Sequence, residues 1–235
     1  MFSGTGRSEH FARWLPAVIL PATLLLVRPW EARLGPPPDA SATGSLAVLG
    51  GMRAVAAGGA WLKANLAWER RDQTATLGLL ELTVASDDRP LYFWFNAARM
   101  MAYDFPAWRS ADAPMLLRER IAAEEARRAL AFLERGVTRH PAKAAFYLEM
   151  ANIRLRALGD KEGAAALFRL AAEQSGAPYH AARIYGELLR ELGRPAEALA
   201  WLRSVLPGLP ADDPAARRDV VEQRIRELEA LVRAR

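Results

Sequence analysis

The chain of 235 residues contains no cysteine. This absence excludes disulfide frameworks, cysteine-ligated zinc, iron–sulfur clusters and thiol catalysis, and it leaves the cellular compartment open. Lysine is also scarce, because only Lys63, Lys143 and Lys161 contribute to the 32 basic residues. Arginine and glutamate alternate along most of the chain, so the net charge of +5 forms no basic block. We therefore expect solvated helical surfaces and no nucleic-acid partner.

Motifs for chemistry are missing as well. The three histidines, His10, His140 and His180, lie far apart in the sequence and form no pair at metal-ligand spacing. There is no glycine-rich phosphate loop, nucleophile elbow or metal-binding run. We expect a protein that is not an enzyme and that needs no cofactor and no metal.

What the chain does contain is helical periodicity. From Leu46 onward, Ala, Leu, Arg and Glu dominate and β-branched clusters are absent. Apolar residues make up 51% of the chain and charged residues 25%, which is enough apolar material for a core. The sequence predicts an all-α fold.

An apolar segment lies near the start, at residues 14–30, and reads WLPAVILPATLLLVRPW. At 1.5 Å per residue, the distance between Trp14 and Trp30 is about 24 Å, so the two rings fit the interfaces of a bilayer whose core is about 30 Å thick. We expect a single membrane anchor at about 14–30. Two alternatives remain open: a cleaved signal peptide, for which residues 40–42 offer an A-x-A pattern, and a buried or peripheral helix.

The flanking charges orient this anchor. Arg7 and Arg13 precede it, whereas Arg28 and Arg33 near its end are opposed by Glu31. The positive-inside rule therefore favours a cytoplasmic amino terminus, with the bulk of the chain outside the cytoplasm. Residues 35–44 read GPPPDASATG and predict a proline-rich linker, so we place a single helical domain at 45–235.

The helical domain contains an internal repeat. A shift of 34 residues aligns Leu155 with Leu189, Gly159 with Gly193, Ala164 with Ala198, and Phe168 with Leu202. Each unit is predicted as a helix, a turn at the glycine, and a second helix whose small residue permits close packing.

This pattern resembles the tetratricopeptide repeat (TPR) family. The units 145–178 and 179–210 match its motif closely, and 61–90 and 91–141 match more loosely, the latter with an insertion at 104–114. The resemblance implies an α-solenoid of helix pairs that binds partners without catalysis. The repeat-defining residues are Gly78, Pro90, Ala129, Pro141, Gly159, Ala164, Phe168, Gly186, Gly193, Ala198 and Pro210.

Two further stretches, GGMRAVAAGGAWLKANLAWER and PLYFWFNAARMMAYD, are similar to uncharacterised membrane-anchored bacterial TPR proteins, with Met52 at the position of an aromatic residue. This resemblance implies a membrane-anchored bacterial protein, and with the orientation that the flanking charges favour we expect a single-pass inner-membrane protein with its repeats on the extracytoplasmic side.

The TPR register names the residues expected on the concave surface. It predicts a groove with an apolar middle and basic ends, suited to an extended or helical peptide with acidic positions. The alternative is that the polar members are ordinary solvated charges. The predicted groove residues are Lys63, Arg70, Trp94, Ala97, Met101, Phe146, Glu149, Ile153, Arg156, His180, Arg183, Glu187 and Arg190.

Two other clusters allow a structural and a functional interpretation. Gly50, Ala54 and Gly58 form a strip of small residues, either for packing within the first helix pair or for self-association or a membrane partner. Nine aromatic and methionine residues between Tyr92 and Trp108 are too many for one buried helix face, so some of the rings are expected at a binding surface.

The final segment, 213–235, is predicted to be a capping helix. Val221, Ile225, Leu228 and Val232 share one face, and charged residues surround the rest. The alternative is a helix that docks into another protein.

The sequence therefore indicates a membrane-anchored TPR scaffold that binds an unidentified protein or peptide through its concave surface. One alternative is an exported and cleaved assembly factor. The other is an accessory or assembly subunit of a larger membrane protein complex.

Overall fold

The structure, a computed structural model, describes residues 40–234 of the chain, and every regular element in that range is helical. The described range contains no strand, so the predicted all-α class is confirmed. The elements are α1 (Ala40–Glu69), α2 (Gln73–Ser86), α3 (Leu91–Arg99), a π-helical segment (Met100–Asp104), α4 (Phe105–Arg109), α5 (Met115–Arg139), α6 (Ala144–Ala157), α7 (Lys161–Ala172), α8 (His180–Glu191), α9 (Pro195–Val205), 3₁₀ turns at Leu206–Gly208 and Pro214–Ala216, and α10 (Arg218–Arg233).

The predicted membrane anchor at 14–30 lies outside the described residues. None of the helices between residues 40 and 234 combines the length and the apolar character needed to cross a membrane. The predicted linker at 35–44 overlaps α1, which begins at Ala40. The chain divides into two compact units, Met1–Met52 and Arg53–Arg235, and the division falls within α1.

Consecutive helices pack against one another in the second half of the chain. Helix α6 packs on α7, α7 on α8, α8 on α9, and α9 on α10. The longest of the helices after α1, α5, contacts α3, the π-helical segment, α4 and α6. The predicted repeat-defining residues Ala164, Phe168 and Ala198, and Leu202, which the shift of 34 aligns with Phe168, are all buried.

Both predicted repeat turns contain a glycine in the left-handed region. Gly159 has φ +65° and Gly193 has φ +77°, a conformation that costs an L side chain strain and glycine none. After the first turn, the Asp160 carboxylate accepts the N–H of Gly163 at 2.8 Å and so caps α7. After the second, Pro195 occupies the first turn of α9, where its missing N–H costs nothing.

Asp160 also makes the first of these turns sensitive to pH. Arg154 Nη1 lies 2.7 Å from Asp160 Oδ2. The hydrogen bond from Gly163, followed by the one from Arg154, lowers the pKa of Asp160 below its ordinary value. Because the folded pKa lies below the unfolded pKa of about 3.9, the carboxylate stabilises the fold above that pH, and this contribution is lost as the pH falls through the folded pKa.

We expect Asp160→Asn to lower the free energy of unfolding at pH 7, and the difference from wild type to shrink as the pH falls below about 4. Asparagine caps helices about as well as aspartate, so the substitution removes the charge and keeps the cap. Urea unfolding at pH 7, 5 and 3 measures the difference. A difference of equal size at all three pH values would contradict the assignment.

The core of the first half is built around aromatic side chains. Trp94, Phe105, Phe132 and Phe146 are each at most 2% exposed. The Trp94 ring lies 4.8 Å from Phe132 and 6.1 Å from Phe146, measured between ring centroids. These contacts join α3, α5 and α6 into one hydrophobic core.

Helix α5 approaches α6 closely at Gly136. A Cβ atom at Gly136 would overlap the ring of Phe146, which is itself completely buried. Gly78 on α2 differs, since a Cβ atom there meets nothing within 4 Å. The glycine at 136 is therefore required by packing, whereas the predicted repeat glycine at 78 is not.

We expect Gly136→Ala and Gly78→Ala to have opposite effects on stability. Alanine at 136 overpacks a rigid aromatic contact and should cost about 1–3 kcal/mol. Alanine at 78 should stabilise the protein by up to about 1 kcal/mol, because glycine is the poorer helix former. Urea unfolding of both variants measures the two changes, and a shift in the same direction for both would contradict the packing argument.

The segment predicted as an insertion, 104–114, begins in helix and ends in a turn. The chain passes from α3 through the π-helical segment into α4 and turns only after Arg109. Pro106 has no N–H to donate back to the preceding turn, which favours the wider hydrogen-bonding pattern before it. Trp68 Nε1 donates to Asp104 Oδ2 at 2.8 Å and holds this segment against α1.

A buried carboxylate ties three helices together behind that segment. Glu125 on α5 is 1% exposed. It accepts hydrogen bonds from Arg109 of α4 at 2.5 Å and from Gln73 of α2 at 2.9 Å. Arg128, one turn further along α5, lies 3.5 Å away and completes the arrangement.

The last segment divides at Arg217. Residues Pro214–Ala216 form a 3₁₀ turn, Arg217 has φ +48°, and α10 begins only at Arg218, five residues after the predicted start of the capping helix at 213. Val221, Ile225 and Leu228 are buried, as their shared helix face predicts, and Val232 is partly buried in the same cluster.

Candidate functional site

Polar side chains on α6 and α8, together with residues from neighbouring helical segments, form two charged patches. The first, called here the α6 patch, consists of Arg99, Tyr103, Glu149 and Arg156. Its centre is an ion pair in which Arg99 Nε and Nη2 donate to the two Glu149 carboxylate oxygens at 2.8 and 2.6 Å. The Glu149 side chain is only 8% exposed, whereas that of Arg99 is 55% exposed. The hydrogen bonds to Glu149 raise the pKa of Arg99.

Tyr103 stands beside this ion pair on the π-helical segment and is 38% exposed. Burial is the main cause that raises the pKa of its hydroxyl, and the charge of Glu149 adds to the rise. Arg156 and Arg99 oppose it, which places both guanidinium groups within electrostatic reach of the ring. The α6 patch therefore combines one aromatic surface with two cations and one anion.

Arg156 differs from Arg99 in having no carboxylate to neutralise it. It is exposed on the last turn of α6, and within residues 50–234 no acidic side chain lies in ion-pair distance of it. An exposed guanidinium of this kind presents its donors to solvent in a fork that fits a carboxylate.

The second group, the α8 patch, consists of Arg183, Glu187, Arg190 and Arg224. Glu187 receives hydrogen bonds from Arg190 and lies 3.2 Å from the Nε of Arg224 on α10. The hydrogen bond from Arg190 and the charge of Arg224 lower the pKa of Glu187 against the opposing effect of burial. Arg183 is half-buried, and among the described side chains none pairs with it as a carboxylate partner.

A cavity of about 220 Å³ opens beside the α8 patch. Ile184, Leu202, Val220 and Val221 form apolar walls, and Arg183, Glu187 and Arg224 complete its lining. The arrangement provides an apolar pocket with cationic groups at its edge. Chemically, it can hold a small apolar side chain next to a carboxylate.

The structure separates the predicted groove residues into two kinds. The apolar members Trp94, Ala97, Met101, Phe146 and Ile153 are at most 2% exposed and lie in the core. They are corrected from surface to core, because α5 and α6 pack against α3 and leave no open groove over them. Tyr103 is the exposed ring at this position instead.

The polar members lie nearer the surface. Arg156, Arg183, Glu187 and Arg190 belong to the two patches, and His180 is exposed at the start of α8. Lys63 and Arg70, near the end of α1, line a separate cavity of about 250 Å³ and do not join the patches.

Arg99 and Arg224 were not among the sequence candidates. Arg99 reaches Glu149 across 50 positions of sequence, and Arg224 lies on the predicted capping helix, whose polar side was expected to face solvent only. The sequence does contain a signal for Arg99, because this residue lies one helical turn before Tyr103 on the same predicted helix.

The fold and these patches define an all-helical protein with two arginine-rich surface patches and an adjoining apolar pocket. Within the described part of the chain, no three His, Asp or Glu side chains are placed to hold a metal ion. No protein-family model matches the chain, and no curated protein matches it.

Proposed function

We propose that this protein is a non-catalytic, TPR-like scaffold that binds a peptide or protein segment with acidic residues through the α6 and α8 patches. The observation that supports it most directly is that exposed Arg156 and half-buried Arg183 have no acidic partner among the described residues. The two patches occupy related repeat positions, because the shift of 34 residues brings Glu149 onto Arg183 and Arg156 onto Arg190. Equivalent positions of stacked helix pairs face the same side.

The proposed ligand has two kinds of group. Its carboxylates would pair with the guanidinium forks of Arg156 and Arg183, since charge-assisted hydrogen bonds are the strong ones at exposed surfaces. A small apolar side chain would enter the pocket of about 220 Å³ between Ile184 and Leu202. Tyr103 would supply a flat contact surface next to Arg156.

The proposed location follows from the sequence. Residues 14–30 would anchor the protein in a bacterial inner membrane, with the helical domain on the extracytoplasmic side. The α-solenoid of four repeat units and the capping role of α10 belong to the same proposal. A scaffold of this kind recruits a partner to the membrane surface.

Site-specific photo-crosslinking in native membranes tests the proposal. A photoreactive phenylalanine analogue is placed at Tyr103 in one variant and at Leu170 on α7 in the other. The two positions are similarly exposed, at 38% and 42%. We expect crosslinked partners from position 103 only, and equal crosslinking from both positions would refute the assigned face.

The accessory-subunit alternative is favoured by one observation on α5. Its first residues, Met115, Leu116 and Leu117, are 71%, 77% and 46% exposed. Adjacent apolar side chains at a protruding helix start suit burial against a large partner. Purification in a gentle detergent distinguishes the two: a stoichiometric, salt-resistant companion supports the subunit, and a mixture of weakly bound proteins supports the scaffold.

A further inference from the structure

Helix α1 has apolar residues on two opposite faces. Ala57, Ala60, Ala64 and Ala67 are at most 7% exposed and form the face that packs within the chain. Val55, Leu62 and Leu66, on the other side, are 76%, 67% and 51% exposed. A helix that is apolar on both faces is normally covered on both. The outer face is called the α1 stripe below and comprises Val55, Gly59, Leu62 and Leu66.

The α1 stripe has the spacing of a two-stranded helical seam. Its members follow one another by four, three and four residues, which is the a and d repeat of a coiled coil. In the same register, Ala57 and Ala64 occupy the f position, directly opposite the seam. The face buried in the chain and the face left open are therefore opposite sides of one regular helix.

Packing within the chain does not explain why glycine stands at Gly58, beside the stripe, or at Gly59, within it. A Cβ atom added at Gly58 or Gly59 meets nothing within 4 Å. Glycine is a poorer helix former than alanine, so its use inside α1 needs another reason. The same holds for Gly50 in the small-residue strip predicted from sequence, and Ala54 of that strip is exposed. Alanines, not this strip, form the internal contact of α1.

We propose that the α1 stripe pairs with the α1 stripe of a second copy of this chain, in antiparallel orientation. One pairing places Leu62 of each copy over Gly59 of the other and Leu66 beside Val55. The stem of Lys63 then crosses the flat surface at Gly58. Projections and gaps lie on the same stripe, so the surface is complementary to itself, as an interface with two-fold symmetry requires.

The antiparallel orientation follows from the order of large and small residues. In a parallel pair, Gly59 would face Gly59 and leave a gap, whereas the antiparallel pair fills each gap with a leucine. A stable interface buries about 800 Å² per partner, and one stripe of this length provides less. We therefore expect a reversible dimer with a Kd of about 1–10 μM.

Disulfide trapping in the full-length protein tests the pairing. Because the chain contains no cysteine, no native thiol competes with the introduced ones. Gly59→Cys and Leu62→Cys variants, with tags of different size, are oxidised separately and as a mixture in mild detergent. We expect the mixed disulfide to exceed both self-disulfides several-fold. A Gly59→Cys self-disulfide that predominates, or no disulfide at all, would overturn the antiparallel pairing.

Sedimentation over a range of protein concentrations, which measures the monomer–dimer equilibrium, is the second test of the pairing. Leu62→Glu should shift the protein from dimer to monomer, with at least a tenfold rise in Kd, while Leu231→Glu on α10, 41% exposed, should leave the dimer unchanged. Circular dichroism verifies that both variants are folded. A wild-type protein that stays monomeric at 100 μM, on the order of the concentrations at which such dimers form, would overturn the proposal.

Discussion

Trp94→Ala is expected to lower the free energy of unfolding by about 3–5 kcal/mol. The side chain is 1% exposed and lies between Phe132 and Phe146. Its removal leaves a cavity at the junction of α3, α5 and α6, and rigid neighbouring rings cannot collapse to fill it.

A lost hydrogen bond adds to this cost. Trp94 Nε1 donates to the backbone oxygen of Asp88 at 2.9 Å, in the turn that leads into α3. Without that donor, the turn loses one of the hydrogen bonds that hold it against α3. The Asp88 oxygen also lies 2.8 Å from His140 Nε2 and keeps that polar contact, so the lost hydrogen bond adds only about 0.5–1.5 kcal/mol.

Urea unfolding followed by far-ultraviolet circular dichroism measures the loss. Tyr92→Ala is the matched control, because Tyr92 lies two residues away on the same helix and is 57% exposed. We expect the control to change stability by less than about 1 kcal/mol. Equal losses for both variants would show that the register of α3 is assigned incorrectly.

Reversal of charge at Arg156 and Arg183 together is expected to weaken partner binding by at least about 100-fold. A hydrogen bond to a charged group contributes about 1.5–3 kcal/mol, and 1.4 kcal/mol corresponds to a tenfold change in affinity. Replacement by glutamate adds repulsion of the acidic ligand to the lost attraction. Stability should change little, because neither arginine has an ion-pair partner within residues 50–234.

The measurement is quantitative capture of the photo-crosslinked partner by Arg156→Glu/Arg183→Glu protein. Arg120→Glu/Arg226→Glu is the control, since it changes the net charge equally at two exposed positions outside the patches. We expect normal capture by the control at physiological ionic strength. Equal losses in both variants would mean that net charge, and not the two patches, governs binding.

The sequence was a good guide wherever local rules decide the structure. Glycine turns at Gly159 and Gly193 and the buried face at Val221 and Leu228 depend on short-range periodicity, and the structure has them at the predicted positions. Periodicity also predicts the helical class. These features need no information about which helices meet.

The site was less predictable because it depends on contacts between distant segments. Trp94 and Tyr103 belong to one aromatic run, and only the packing of α5 and α6 against α3 determines that the Trp94 ring is buried and the Tyr103 ring exposed. The pairing of Arg99 with Glu149 needs the packing of α3 beside α6. No pattern within either helix contains that information.

The buried carboxylate of Glu125 has a consequence for how the first half of the protein opens. Its hydrogen-bond donors come from α2 and α4, while the carboxylate itself belongs to α5. Any local opening that separates α2 or α4 from α5 removes one of the hydrogen bonds to a buried charge, and such a state is costly. The three helices are therefore coupled, and they fluctuate as one cooperative block although two of them are not neighbours in sequence.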